Sequence, residues 1–381
     1  MSRISANRDA LPGAAATVRE INQQPEIWSA VSELVDRRRV ELNLFLDRLL
    51  ERSDLRIVLT GAGTSAFVGS IAAPALARSL GRRVDALATT DIVSDPHGSF
   101  PEDVPTLLVS FARSGNSPES IAATHLADQI LSDVSHLILT CDGSGALFVE
   151  HADRATSKVV LMPERTNDEG FAMTSSFTSM LLAVLLVLGV YDTQVVRSLV
   201  ASALNTLELR QDAIRALAAR SLERVVYLGS GPLEGLASES ALKMLELTAG
   251  RVVAFHESAL GFRHGPKAIL NDKTLVIVYV SSDPYTRQYD LDIVSELRTS
   301  MDPQNIIAIS TSPLGETDVQ SWVMADAADL SDGLVAVAYV VVAQLLALWS
   351  SVHLGLTPDN PFPGGNVNRV VRGVHIHALG E

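Results

Sequence analysis

Two stretches of this chain repeat one another at a fixed spacing, and that repeat constrains the fold more than any other feature. Arg56-Ile-Val-Leu-Thr-Gly-Ala-Gly-Thr-Ser65 matches Arg224-Val-Val-Tyr-Leu-Gly-Ser-Gly-Pro-Leu233, which places Gly61 and Gly229 168 positions apart. The segment from Leu107 to Ser114 matches the segment from Leu275 to Ser282 at the same spacing, as does Arg83-Val84 with Arg251-Val252. Leu137 to Cys141 matches Ile306 to Ser310 at a spacing of 169. Self-similarity at one period marks a duplicated structural unit, and 381 residues suffice for two domains of ordinary size.

Each copy reads alike. A short apolar strand ends in a Gly-x-Gly turn, and an Ala/Leu-rich helix follows (Ala66 to Leu80; Glu234 to Ala249). Further strands and helices alternate after it. Continuous apolar strands between helices predict a parallel sheet covered on both faces. The expected class is therefore α/β, with two duplicated, doubly wound parallel-sheet domains. The stripes Trp28, Val31, Leu34, Val35 and Leu42, Phe45, Leu46, Leu49 have helical spacing. They predict an N-terminal helical segment over 1–51 that packs across the domains, followed by a first domain over 52–205 and a second over 206–381.

Composition narrows the partners. The net charge is −14, which argues against nucleic acid, whose binders carry a basic patch. A small anion remains compatible, because a few local donors hold a phosphate in an acidic protein. The single cysteine, Cys141, forms no internal disulfide and is read as a residue of a core strand. It suits a reducing cytoplasm. Met1 to Glu20 shows no apolar run before a cleavage site, so no signal peptide is expected. Phe177 to Tyr191 is too short to span a membrane, and Leu334 to Trp349 is about a turn short and broken by Gln344. Both are expected to be buried core helices, with no membrane partner.

Ligands of such sheets bind beyond the carboxyl ends of the strands. After the strand Thr106 to Val109 comes Ser110-Phe-Ala-Arg-Ser-Gly-Asn-Ser-Pro-Glu119, with a helix beginning near Pro118. Hydroxyls, free backbone N–H groups and a helix N-terminus there suit a phosphate, although an ordinary capped helix start has the same composition. Gly61-Ala-Gly-Thr-Ser65 brings Thr64 and Ser65 beside it but lacks the full dinucleotide fingerprint. In the second copy Asp283 stands where the first has Gly115, so that copy is expected to have lost its anion site. Glu239, Lys243 and Glu246 share one helical face, a pattern also met in solvated ion pairs. His256 and His264 have no further metal ligand at useful spacing, and His264, in Arg263-His-Gly-Pro266, reads as a positioned acid/base.

At these residues the two copies resemble sugar isomerase (SIS) domains. Gly61 to Ser65 with Ser114 to Ser117 is similar to that family's phosphate site. Ala241 to Glu246, followed by His264-Gly-Pro, resembles the isomerase half of glucosamine-6-phosphate synthase. Thr17 to Pro25, Phe171 to Thr178 and Leu260 to Lys267 resemble the bacterial galactosamine-6-phosphate deaminase/isomerase group, also labelled tagatose-6-phosphate ketose/aldose isomerase. The resemblance implies that Ser65, Ser114 and Ser117 bind phosphate with Thr64 and Asn116 close by, and that Thr174, Ser175 and Ser176 line the sugar. It makes Glu246 the base between C1 and C2, accompanied by Lys243 and Glu239. It gives ring opening to His264, supplied by a neighbouring subunit of a homodimer or larger homo-oligomer, and substrate contact to Arg369. Ala112, Arg113 and Ser176 depart from the synthase, which has serine, glutamine and lysine there. Arg369 replaces a lysine, which changes donor geometry.

The implied reaction opens the ring, moves a proton from C2 to C1, and hydrolyses the resulting ketimine to tagatose 6-phosphate and ammonia. It calls for no metal or organic cofactor. A plain aldose–ketose isomerase, a fructosamine-6-phosphate deglycase and a non-catalytic sugar-phosphate sensor are the alternatives. Retention of Glu246 and His264 favours an enzyme.

Overall fold

The computed structural model describes residues 12–189, 192, 194–371 and 373–380. Two helices, α1 (Ala15–Arg37) and α2 (Arg39–Leu50), precede the first sheet. The first copy then runs β1 (Arg56–Gly61), α3 (Thr64–Leu80), β2 (Val84–Ala88), α4 (Thr89–Ser94), α5 (Pro96–Ser99), β3 (Thr106–Ala112), α6 (Pro118–Ile130), β4 (Val134–Thr140), α7 (Ala146–His151), β5 (Ser157–Leu161) and α8 (Ser175–Leu188). After α9 (Val195–Asn205) and α10 (Gln211–Ala218), the second runs β6 (Arg224–Leu228), α11 (Pro232–Leu247), β7 (Val253–Glu257), β8 (Thr274–Tyr279), α12 (Pro284–Arg298), β9 (Ile306–Ser310), β10 (Gln320–Val323) and α13 (Asp332–His353).

The two five-stranded sheets have the orders β2-β1-β3-β4-β5 and β7-β6-β8-β9-β10, and every pairing is parallel. These are one topology built twice. The duplication reaches the backbone. Gly63 and Gly231 precede α3 and α11 with φ of 55° and 59°, where an L side chain is strained. Gly61 and Gly229 lie so close to the next helical turn that an added Cβ would sit 2.6 Å from Ser65 and 2.3 Å from Leu233. Both glycines of each Gly-x-Gly turn are thus required on steric grounds.

The chain divides into two compact units. One holds Ile27–Asp168, Ser175–Thr193 and Gly365–Glu381; the other holds Met1–Glu26, Glu169–Thr174 and Gln194–Gly364. In the first, Val58 and Leu108 of the sheet pack with Ile92, Phe100, Ala123 and Ala127. Helix α8 is buried along its whole length, and the Trp28 indole N–H donates to Thr178 Oγ1 at 2.9 Å. In the second, Val226, Val276, Val278 and Ile306 pack with Phe262, Ile293 and Leu297. Helix α13 is longer than its apolar run predicts: 22 residues, enough to cross a membrane by length and composition, but its apolar window is fully buried within the protein. Its Gln344 Oε1 accepts a hydrogen bond from Gln24 Nε2 at 2.8 Å within the core. Tyr191, the expected end of the other apolar stretch, lies outside the described residues. Cys141 falls one residue past β4, not on it; it is buried, and burial pushes its thiol up to about 12.

A buried histidine pair closes the far edge of the first sheet. The rings of His136 and His151 lie 4.7 Å apart, with His136 Nε2 bonded to Asp128 at 2.9 Å and His151 Nδ1 to Ser157 at 2.9 Å. Burial first, and then the neighbouring His136, push His151 down to about 4. The unfolded chain, with an ordinary histidine near 6.5, binds this proton first. The stability that neutral His151 contributes is therefore complete above about pH 6.5 and is lost as pH falls toward 4. Urea unfolding of the wild type between pH 7.5 and 4.5 is expected to lose about 2 kcal/mol more than that of His151→Gln. Parallel pH profiles would exclude this role.

Candidate active site

In the first unit, two strand-to-helix turns meet at one end of the sheet. Strands β1 and β3 pair directly, in register from Arg56 with Thr106 to Thr60 with Ser110, and the chain order reverses between them. That reversal is where doubly wound sheets bind ligands. The turns leaving the two strands, 61–65 and 113–117, are therefore neighbours. Thr64 and Ser65 are buried in the first turn of α3. In the second turn Gly115 has φ of 66°, Ser114 Oγ accepts from Asn116 N–H at 3.3 Å, and Asn116 Oδ1 accepts from Ala146 N–H at 3.0 Å. Ser117 caps α6: its Oγ accepts from Ser120 N–H at 3.3 Å and donates to Ser120 Oγ at 2.6 Å. Asn116 and Ser117 thus hold the loop in shape, while Ser114, half-buried, stands beside the N-terminus of α6.

Ser175 and Ser176 begin α8, and their hydroxyls are engaged by a carboxylate the sequence reading did not single out. Asp168, 1% exposed, accepts from Ser175 N–H (3.2 Å) and Oγ (2.5 Å) and from Ser176 N–H (2.9 Å) and Oγ (2.5 Å). The Arg369 guanidinium donates to the Asp168 carbonyl, and the buried Arg113 donates to the Arg369 carbonyl at 2.9 Å. Arg113, the departure noted in the phosphate turn, thereby ties that turn to the C-terminal tail.

The second unit carries Glu239, Lys243, Glu246 and His264. Along α11, Lys243 is fully buried, with Nζ 2.5 Å from Glu246 Oε2 and 3.5 Å from Glu239 Oε1. Glu239 is also fully buried, whereas the Glu246 side chain is 23% exposed. The run is not a solvated ion-pair face. One ammonium holds two carboxylates in low dielectric, and only Glu246, in the last turn, opens outward. Thr174 is buried in this unit. His264 is exposed on the turn after β7, and no hydrogen bond or ion pair joins it to the α11 carboxylates among the described residues. His256 Nδ1 bonds Ser238 (3.0 Å) and Glu234 (3.2 Å). Glu20 is the second carboxylate without a sequence-assigned role: buried, it accepts from Glu169 N–H (2.7 Å) and Gly170 N–H (3.2 Å) and so fixes the stretch leading to Thr174.

The corresponding turn of the second copy is built differently, beyond the Asp283 substitution. β3 and β8 begin 168 residues apart, at Thr106 and Thr274, but α6 and α12 begin 166 apart, at Pro118 and Pro284, so the stretch from strand start to helix start is two residues shorter. Its donors are already taken. Asp290 accepts from Ser230 Oγ (2.6 Å) and Ser281 N–H (2.9 Å), and Asp332 accepts from Ser281 Oγ (2.5 Å) and Ser282 N–H (2.7 Å). Burial, offset in part by its bonds to Ser230 and Ser281, pushes Asp290 up to about 6.

Comparisons with known proteins agree with this architecture. A Streptomyces coelicolor relative is 55% identical over 97% of both chains. The D-galactosamine-6-phosphate deaminase AgaS of Escherichia coli is 44% identical, covering 96% of this chain and 97% of that one. The crystal structure of tagatose-6-phosphate ketose/aldose isomerase from Escherichia coli superposes with a TM-score of 0.89 at 42% identity, covering 96% of this chain and 97% of that one. The SIS domain matches residues 49–189 and 220–354, one match on each sheet, and the chain belongs to the SIS domain family.

Proposed function

We propose that this chain is an enzyme that converts D-galactosamine 6-phosphate to tagatose 6-phosphate and ammonia. The observation that carries the reading is the buried Glu239–Lys243–Glu246 ladder with a single carboxylate facing outward, in a chain 44% identical along its length to a D-galactosamine-6-phosphate deaminase. The cradle of Thr64, Ser65, Ser114, Asn116 and Ser117 holds the 6-phosphate and so anchors the substrate. Thr174, Ser175, Ser176 and Arg369 frame the sugar. His264 takes the anomeric hydroxyl proton and delivers one to the ring oxygen, breaking the C1–O5 bond. Its exposure in the single chain fits supply to the site of a second copy in a homo-oligomer. Glu246 then removes the C2 proton and returns it at C1. The C2 amine becomes a ketimine, water adds to C2, and ammonia leaves. The reaction belongs in the cytoplasm, where the lone buried cysteine stays reduced.

A second reading, plain interconversion of ketose and aldose phosphates, is favoured by the name of the structural neighbour. Ammonia measured from galactosamine 6-phosphate and from glucosamine 6-phosphate separates the two. Release from the galacto compound supports the deaminase. Release from neither, with turnover of tagatose 6-phosphate, would leave the isomerase.

A further inference from the structure

The turn that carries His264 is held at both shoulders by one carboxylate. Arg263, immediately before His264, and Lys267, three residues after it, both pair with Glu296 of α12: Arg263 Nε to Oε2 at 2.7 Å and Lys267 Nζ to Oε1 at 2.6 Å. The bonds use both oxygens, so the carboxylate spans the turn like a clasp. Lys267, opposed in part by burial and supported by Arg263, holds the Glu296 carboxyl below its ordinary range. Below the clasp, Phe262 is fully buried in the same cluster as Ile293 and Leu297 of α12. Above it, the backbone reverses at Gly265, whose φ of 123° is closed to L side chains. The His264 side chain is exposed, and no side-chain hydrogen bond or ion pair is shown for it among the described residues. Its direction is set by what grips its neighbours.

We infer that Glu296 is a positioning residue for His264, fixing through Arg263 and Lys267 the direction from which the imidazole reaches the sugar ring. The inference rests on the assignment of ring opening to His264. It also gives α12 a function in a copy that has lost its cradle: the helix that in the first copy begins at the phosphate turn here steadies an acid/base turn.

The experiment is a double-variant cycle in the full-length protein, read by ammonia release from galactosamine 6-phosphate. Glu296→Gln is expected to lower kcat about tenfold to a hundredfold, the cost of a misplaced reacting group, with KM changed less than about threefold. Arg263→Gln combined with Lys267→Gln breaks the same clasp from the other side and should show the same split. In a His264→Asn background, Glu296→Gln should cost less than about twofold more, because it acts only through the missing imidazole. Wild-type kcat in Glu296→Gln, or an equal fold loss in both backgrounds, overturns the positioning role. If His264→Asn keeps wild-type turnover, the ring-opening assignment fails first, and the clasp then has nothing to position.

Discussion

Glu246→Gln is expected to lower ammonia release from galactosamine 6-phosphate by roughly 10³-fold while leaving KM nearly unchanged, the size of effect that follows removal of a positioned general base. The amide matches the carboxylate in shape, and its oxygen still accepts from Lys243 Nζ, which lies 2.5 Å from Glu246 Oε2. The Lys243–Glu239 contact survives, so the variant should fold with a stability close to that of the wild type. What is lost is the lone pair that takes the C2 proton. Solvent exchange isolates this step: in deuterated water the wild type should carry solvent deuterium into the product at C1, and the variant should not. Retention of more than about a tenth of wild-type turnover would move the base elsewhere. Loss of activity with undiminished exchange would keep Glu246 out of the proton transfer and place its role in a later step.

The parts of the fold that were legible in the sequence are those with a local physical cause. The Gly-x-Gly turns repeat because Gly61 and Gly229 face the next helical turn at contact distance and Gly63 and Gly231 hold positive φ. The strands repeat because they are buried on both faces. The Glu239, Lys243, Glu246 face was legible as a helical spacing, but its burial was not, since the same spacing describes a solvated surface. Divergence of the second cradle was read from Asp283 alone. Its larger cause, a strand-to-helix stretch shortened by two residues and filled by Asp290 and Asp332, depends on where α12 starts and on a carboxylate some fifty residues downstream. Asp168, Glu20 and Arg113 went unassigned for a related reason. Asp168 caps helix α8 from seven residues before Ser175, outside any local capping pattern. Glu20 and Arg113 act across sequence separations of 149 and 256 residues. Long-range caps leave no spacing to read.

The largest stability effect is expected at Lys243. Lys243→Met fills most of the same volume but removes the ammonium that faces Glu239 and Glu246 on α11. Glu239 is fully buried, so its carboxylate would lose the ammonium 3.5 Å away while remaining out of solvent. Breaking a buried pair from one side costs about 3–5 kcal/mol, because the remaining charge stays in low dielectric. Urea unfolding should show that loss as a shifted midpoint with an unchanged slope. The cost lies in the stranded charge, not in the missing contact, and a second variant separates the two. Adding Glu239→Gln to Lys243→Met should recover most of the stability, although each change alone destabilises, because an amide and a thioether carry no charge to desolvate. Activity should not return with stability, since Glu246 would still lack the ammonium that orients it. An additive loss in the double variant would mean that the ladder stabilises the helix by packing alone. Recovery of both stability and turnover would show that Lys243 serves the fold and not the reaction.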